Sequence, residues 1–397
     1  MKIAVFHNQP SGGARRALHG FCRFLSLRHR VDIFTLTTAD QEMLRDEDVA
    51  TSVTRFPFAF RAPIRGGSYL NDVRRWQSFD ELDAVNLQAA QSIDSGGYDV
   101  ALIDACRFTF APALLGSLRT PSAYYCHHRP RLQDEPGLSP PQSLFERVRR
   151  GYRLPLERRL ERRLWRQDVD MVRAASKVFT NSLFTQQRIS DVYGVQATVC
   201  PPGVDLPQMP AIAAKGHVLS VGELERRKGF DLLIEAVALL EKTERPALRI
   251  IANGGHPRVR AELEQQARRL DVNLTILILP PQEVLARAYR ESLVFAYGAH
   301  EEALGLAPLE AMSYGIPVVA VAEGGVVETV GDGRTGFLTE RDAAQFSARL
   351  RELIKSPPLR AEFGRNGRQL VAERWQTEHC AARLEANLLL LAERGAA

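Results

Sequence analysis

The sequence predicts an α/β protein of two domains, each with a parallel sheet covered by helices. The chain has 397 residues, which at usual domain sizes corresponds to about two domains. Short apolar segments alternate with segments of helical periodicity, as they do in parallel sheets joined by helices. Residues 300–336 continue this order with a loop, a helix, a buried β-branched strand and a second helix start.

The individual elements follow from apolar runs and helical spacing. Strands are predicted at residues 2–7, 31–36, 53–58, 98–103, 122–126 and 177–181, and later at 217–221, 248–252, 274–279, 293–297 and 316–321. Helices are predicted at residues 14–27 and 82–92, and from Pro155, Phe230 and Pro308 onward. In such a fold we expect ligands at the carboxyl ends of the strands.

Composition narrows the class of protein. With 45% hydrophobic and 25% charged residues, the chain has the composition of a soluble globular protein. No apolar run approaches the ~20 residues of a membrane span, and the apolar start at residues 3–6 is too short for a signal peptide. The five scattered cysteines fit neither a disulfide framework nor metal-ligand spacing, so we expect a cytoplasmic protein without a metal. The net charge of +5 suits an anionic ligand or membrane surface and does not demand nucleic acid.

Two carboxylates mark the most informative stretch, because Glu302 and Glu310 stand eight residues apart. Pro308 suits the first position of a helix, which would place Glu310 in its first turn and Glu302 in a loop made pliable by Gly305. A carboxylate accepts hydrogen bonds from two neighbouring hydroxyls, so this pair is suited to sugar diols. Alone, this spacing more often marks an ordinary helix start before a core strand.

The ordered run Glu-x7-Glu, Gly-Ile-Pro-Val-Val-Ala (residues 315–320) and Gly-Gly-x-x-Glu (residues 324–328) resembles the donor-sugar region of family 4 glycosyltransferases. The resemblance implies the GT-B fold, in which two Rossmann-like domains with parallel sheets face a central cleft. It also implies a retaining glycosyltransferase that moves a sugar from a UDP- or GDP-type nucleotide sugar to a glycan, lipid-linked or small-molecule acceptor, without a cofactor. We expect an acceptor domain at residues 1–205, a nucleotide-sugar domain at 206–375, and a C-terminal helix at 376–397 that crosses back to the first domain.

The same resemblance assigns site residues. Glu310 would hold ribose hydroxyls, Glu302 the sugar hydroxyls, and Lys228 the diphosphate. The expected donor-binding set is Gly12, Gly13, Gly222, Arg227, Lys228, Ala303, Leu304, Gly305, Leu306 and Glu310. The expected catalytic residues are His127, with His128 as the second choice, and Glu302, while Arg129 and Arg131 would contact the acceptor. From the residues alone, Gly12-Gly13 fits a tight strand-to-helix turn as well as a phosphate site.

One position departs from the family pattern. Where the family usually has an arginine directly after the glycine at 222, this chain has Glu223. One of the two cations expected to bind the diphosphate, the arginine that would pair with Lys228, is therefore in question. The hypothesis that follows is that Arg226 or Arg227 takes its place.

Residues 147–166 have the most unusual composition in the chain. They contain nine arginines: Arg147, Arg149, Arg150, Arg153, Arg158, Arg159, Arg162, Arg163 and Arg166. Leu156, Leu160 and Leu164 would form an apolar stripe on one helix. A basic amphipathic helix of this kind either contacts an anionic membrane, here the inner face, or packs its leucines on the sheet with a solvated basic face. The second interpretation is the more common outcome for charge runs.

Three other functions are compatible with the sequence. A sugar-nucleotide epimerase shares the architecture, and a starch-synthase-like enzyme would extend a glucan. A non-catalytic sugar-nucleotide sensor would bind donor without turnover, and Glu223 favours keeping it. The sequence does not specify the base, the sugar, the acceptor or the oligomeric state.

Overall fold

The computed structural model describes residues 1–41, 44–64, 68–127, 144–208 and 216–396. The chain forms two compact units. The first consists of Met1–Asn181, Gln186–Cys200 and Ala381–Ala397, and the second of Ser182–Thr185 and Pro201–Cys380. This division into units does not test the domain boundaries expected from the sequence, which stay a prediction.

The strands of the described residues, in chain order, are β1 (Lys2–Asn8), β2 (Arg30–Leu36), β3 (Ser52–Phe56), β4 (Val100–Cys106), β5 (Ser122–Cys126), β6 (Lys177–Thr180), β7 (Thr198–Val199), β8 (His217–Val221), β9 (Leu248–Ala252), β10 (Leu274–Ile278), β11 (Ser292–Tyr297), β12 (Val318–Val321) and β13 (Gly336–Thr339).

The α-helices of the same residues are α1 (Gly13–Leu25), α2 (Ser68–Ser95), α3 (Leu144–Ala174), α4 (Leu183–Tyr193), α5 (Phe230–Ala238), α6 (Pro257–Arg269), α7 (Gln282–Arg290), α8 (Leu306–Ser313), α9 (Val326–Thr329), α10 (Ala343–Lys355), α11 (Pro357–Leu370) and α12 (Thr377–Ala396). Within the described parts of the chain, no helix has both the length and the apolar character needed to cross a membrane.

The first unit is built on a parallel sheet with strand order β3-β2-β1-β4-β5-β6-β7 in the part of the chain that the structure describes. Alternate side chains of β1 enter two apolar clusters: Ala4 and Phe6 pack on one face, and Ile3 and Val5 on the other. This two-sided burial explains why the strands read as continuous apolar runs instead of alternating patterns. Leu384 of α12 belongs to the second of these clusters.

The second unit has the parallel order β10-β9-β8-β11-β12-β13 among its described strands. Numbered within the unit, this is 3-2-1-4-5-6, the doubly wound order of nucleotide-binding domains. The strand order reverses between β8 and β11, which creates a crevice at their carboxyl ends. The prediction of two α/β domains with parallel sheets is confirmed.

Three details of the sequence prediction are wrong. Pro155 does not start a helix but lies inside α3, where α3 already begins at Leu144. Pro308 is the third residue of α8, because Gly305 takes a left-handed conformation with φ of 91° and the helix begins directly after it. Glu310 therefore lies beyond the first turn of α8.

Candidate functional site

The predicted donor residues of the second unit lie at the switch point between β8 and β11. Lys228 follows β8, Glu302 follows β11, and their side chains form an ion pair in which 12% of the lysine and 18% of the glutamate side chain is exposed. Gly222 lies beside the same lysine, because a Cβ added at Gly222 would be 3.5 Å from Lys228 Cδ. The crevice at this point is where doubly wound domains bind their ligands.

The carboxyl group of Glu302 is held in its charged form. Burial raises its pKa, but the ion pair and hydrogen bond with Lys228 outweigh this, and the pKa of Glu302 lies below its ordinary value. Tyr297, at the end of β11, donates a further hydrogen bond to this carboxylate. An ionised Glu302 accepts hydrogen bonds from hydroxyl groups and does not donate them.

Glycines explain how the loop that carries Glu302 reaches the start of α8. A Cβ on Gly324 would lie 2.3 Å from Glu302 O, and one on Gly325 would lie 2.2 Å from Ala303 O. The Gly325 amide donates to Glu302 O at 2.8 Å. The Gly-Gly pair is therefore required for close backbone packing against residues 302–303, and it fixes the loop that bears the carboxylate.

The start of α8 supplies backbone donors beside this loop. Gly305 precedes the helix and has no side chain with which to cap it. The first amides of any α-helix lack partners inside the helix, and the helix dipole favours an anion there. Leu306 is the first residue of α8, and Ala303 and Leu304 lie in the loop just before it, so the predicted segment 303–306 leads directly into this helix start.

Glu310 lies on α8 and is anchored by an aromatic residue that the sequence analysis did not single out. The Tyr289 hydroxyl donates to Glu310 Oε2 at 2.8 Å. The Tyr289 ring, 2% exposed, stacks on Tyr314 with ring centres 4.9 Å apart and planes at 11°. The contact joins α7 to α8 across 21 residues of sequence, and no local pattern marks it.

Arg226 and Arg227, the two candidates for the missing cation at the diphosphate, have different partners. Arg226 is 73% exposed and pairs with Glu262 on α6, at 2.5 Å. Arg227 pairs with Glu225 at 2.6 Å, and although burial lowers its pKa, Glu302 and Glu225 together raise it above the ordinary value. Of the two, Arg227 is the one whose charge interacts with the Glu302 carboxylate.

Burial also raises the pKa of Glu223, the residue that replaces the usual arginine, and the neighbouring Glu225 adds to this rise. Proximity to Lys228 lowers it by a smaller amount. The chain therefore places a weakly acidic carboxyl group where the family resemblance leads us to expect a cation.

In the first unit, His127 follows β5 and belongs to a chain of buried polar groups at the carboxyl ends of three strands. His127 Nε2 lies 2.9 Å from Asp104 Oδ2, and Gln9 Nε2 donates to Asp104 Oδ1 at 2.7 Å. The Asn181 side chain donates to His127 O at 2.9 Å. The contact with Asp104 fixes the orientation of the His127 ring.

Asp104 and Gln9 were not predicted as site residues. One sequence feature indicates Asp104: it lies near the end of one apolar strand, and His127 follows the end of another. Because the carboxyl ends of parallel strands lie at one edge of the sheet, these two residues are expected to be close together.

The predicted glycine pair Gly12-Gly13 forms the start of α1, with Gly12 at φ of 151°. The first turn of α1 carries Arg15, which is buried and pairs with Asp46 at 2.6 Å. His7 lies 3.0 Å from the same carboxylate. Arg15 is therefore part of a buried network that joins β1 and α1 to Leu44 and Asp46. His128, Arg129 and Arg131 lie outside the described residues.

The leucine stripe of α3 packs inward as the more common interpretation expects. Leu160 and Leu164 are 3% and 2% exposed and belong to the core of the first unit. Arg163 also faces inward, since it pairs with Asp80 at 2.7 Å and lies over the Trp76 ring. The remaining arginines with described side chains on this helix segment are exposed: Arg158, Arg159, Arg162 and Arg166.

Two family models match consecutive parts of the chain. "Glycosyltransferase Family 4" matches residues 11–208, and "Glycosyl transferases group 1" matches residues 209–370. The chain belongs to glycosyltransferase family 4. The resemblance seen in the sequence is confirmed.

Curated relatives carry the name D-inositol 3-phosphate glycosyltransferase. The protein of Acidothermus cellulolyticus is 30% identical over 223 residues, which is 50% of this chain and 50% of that protein. The protein of Nocardiopsis dassonvillei is 33% identical over 218 residues, or 49% and 51% of the two chains. The match thus spans about half the length of these relatives.

Solved structures share the fold over nearly the whole chain. Sucrose-phosphate synthase from Thermosynechococcus elongatus superposes with a TM-score of 0.74 at 18% identity, covering 98% of this chain and 99% of that one. HepE from Anabaena, solved with UDP and glucose, gives 0.73 at 19% identity with the same coverage. These neighbours identify the architecture as GT-B.

Proposed function

We propose that this family 4 member is a retaining glycosyltransferase that uses a nucleotide-diphosphate sugar. The observation that carries the proposal is the Lys228–Glu302 pair at the β8/β11 switch point, directly before the uncapped start of α8. This arrangement offers an ammonium group and backbone amides to a diphosphate, and an ionised carboxylate to sugar hydroxyls. HepE, a neighbour of the same fold, is described as binding UDP and glucose, which supports a UDP-type donor.

In the proposed reaction, the bond between the sugar C1 and the diphosphate oxygen breaks, and a bond from C1 to the acceptor oxygen forms on the same face. The acceptor's proton passes to the departing diphosphate. Lys228 and the α8 amides neutralise the charge that grows on this leaving group, which is electrostatic stabilisation of the transition state. Glu302 orients the sugar and Glu310 holds the ribose, and His127 of the first unit is the proposed catalytic histidine.

No group of three or more histidine, cysteine or acidic side chains suited to a metal ion occurs among the described residues.

The acceptor is proposed from the relatives. Their name assigns them inositol 3-phosphate, so a phosphorylated polyol is the first acceptor to test, with lipid-linked and glycan acceptors next. The assay is incubation with UDP- or GDP-sugars and candidate acceptors, with NMR of the product. Release of nucleoside diphosphate together with an acceptor glycoside that keeps the donor's anomeric configuration supports the proposal.

The assay also separates the alternatives. An epimerase would return a changed nucleotide sugar without a glycoside, and a glucan synthase would require a glucan primer. Tight donor binding with no turnover across the acceptor set would favour a sensor, the function that Glu223 keeps open. Inversion of the anomeric centre would refute retention.

We also propose that the enzyme works in the cytoplasm, at the inner face of the membrane. All five cysteines are buried thiols, which suits a reducing compartment. Arg158, Arg162 and Arg166 are exposed at four-residue spacing and form a basic stripe along α3. Each such arginine contributes about 1 kcal/mol of attraction near an anionic surface.

Sedimentation with vesicles tests the membrane proposal. The protein should pellet with vesicles rich in phosphatidylserine at low salt and not with pure phosphatidylcholine, and added salt should release it. Replacing Arg158, Arg162 and Arg166 by glutamine should abolish pelleting, whereas Arg258→Gln on exposed α6 is the control. Equal recovery with both vesicle types would leave the stripe a solvated helix face.

A further inference from the structure

Tyr289 is buried within the second unit and has a single polar atom. Its ring stacks on that of Tyr314, and its ring centre lies 6.1 Å from the ring centre of Phe295. Phenylalanine would fill the same space, so the packing of this cluster does not require the hydroxyl. The hydroxyl is used for one described contact, its hydrogen bond to Glu310 Oε2.

That contact restrains a side chain that has several rotatable bonds. A glutamate on a helix loses rotamer freedom when it binds a ligand, and this loss weakens binding. A buried phenol fixed by ring stacking holds Oε2 in one place before the ligand arrives. The carboxylate plane of Glu310 is then set in advance, and a ligand with two adjacent hydroxyls meets oriented acceptor lone pairs.

We propose that Tyr289 is a positioning residue that orients Glu310 toward the 2′,3′-diol of a ribonucleotide. This inference rests on the proposed function, because it assumes that a nucleotide binds at Glu310. Its specific content is that Tyr289 contributes to affinity through the ribose hydroxyls alone, without touching the nucleotide. A purely structural tyrosine would contribute equally to every ligand of the site.

The experiment measures calorimetric binding of UDP and GDP, and of their 2′,3′-dideoxy analogues, to the parent and to Tyr289→Phe. We expect the ribonucleotide that the parent binds to lose about three- to tenfold in affinity, the loss typical of one hydrogen bond. The dideoxy analogue should bind the parent and the variant equally. With the full donor, KM should rise by the same factor while kcat stays unchanged.

Two further variants sharpen the test. Tyr193→Phe removes a buried hydroxyl that donates to a different carboxylate, Asp168 in the first unit, and is the matched control, with unchanged binding expected. In a Glu310→Ala background, Tyr289→Phe should cause no further loss, because the group through which it acts is gone. If Tyr289→Phe fails to fold, Tyr289→Leu, which keeps apolar contacts and removes the hydroxyl, carries the same comparison.

The outcomes separate the inference from the proposed function. A parent that binds neither UDP nor GDP overturns both. A parent that binds a nucleoside diphosphate, together with a Tyr289→Phe variant of equal affinity, overturns only the role of Tyr289. Equal losses for the ribonucleotide and its dideoxy analogue show a structural role and also overturn it.

Discussion

Replacing Lys228 by methionine should destabilise the second unit by an amount that depends on pH. Methionine keeps the length and apolar stem of lysine but leaves Glu302 without its counter-charge. Removing one partner of a fully buried ion pair costs about 3–5 kcal/mol. Because 12% of Lys228 and 18% of Glu302 remains exposed, water offsets part of this cost, and we expect a loss of about 1–3 kcal/mol at pH 7.

The pH dependence follows from the pKa of Glu302. In the parent, this pKa is lowered, so the pair's contribution is complete above the ordinary value of 4.5 and is lost as pH falls below it. Without Lys228, only Arg227 and the Tyr297 hydrogen bond oppose burial, which is the largest single influence on this carboxyl group, so the pKa of Glu302 rises from its value in the parent. The variant then gains relative stability as pH falls, and the difference between parent and variant should shrink between pH 7 and pH 4.

Unfolding of the parent, Lys228→Met, Glu302→Gln and the double variant completes a double-mutant cycle. Glutamine at 302 is neutral, so the double variant should be more stable than Lys228→Met alone. Lys242→Met is the matched control, since Lys242 pairs with Asp271 where both side chains are about three-quarters exposed. It should cost at most about 0.5 kcal/mol. Additive effects at 228 and 302, or a loss independent of pH, would refute the reasoning.

The remaining predictions concern three other places. Arg227→Ala should weaken nucleoside diphosphate binding about tenfold, whereas Arg226→Ala, whose guanidinium pairs with α6, should leave it unchanged in the same titration. His127→Ala should lower kcat about 10²-fold with nucleotide affinity intact. Asp104→Asn replaces the carboxylate that contacts the His127 ring, so it should also lower kcat but cause no further loss in the His127→Ala background. Burial lowers the pKa of His217 to about 4. The parent should therefore lose about 3 kcal/mol of unfolding free energy as pH falls from 6.5 to 4, because the unfolded chain binds the proton more tightly. In urea titrations, His217→Gln should not show this pH-dependent loss.

The errors at the helix starts have a common physical cause. Proline suits the first helical turn, so Pro155 and Pro308 each suggested a start. In α3, the helix runs through Pro155 from Leu144. In α8, Gly305 sets the start through its left-handed conformation, and proline is tolerated at the third position because its missing N–H has no intrahelical partner there. A proline in a segment of helical periodicity therefore does not by itself locate a helix start.

The sequence by itself determined the alternation of strands and helices and the order of motifs in residues 300–336. These are local properties, set by apolar periodicity and by glycines that alone permit the backbone geometry at Gly305 and Gly324. They were sufficient to indicate the family and to place the Glu302 carboxylate in a loop after a buried strand.

Only the tertiary structure decided which side chains meet. Lys228 and Glu302 are 74 residues apart, His127 and Asp104 are 23 apart, and Tyr289 and Glu310 are 21 apart. Each pair joins neighbouring elements whose adjacency depends on strand order and on how helices pack over the sheet. That order is set by the burial of whole apolar faces, a collective property of the unit, and no spacing along the chain encodes it.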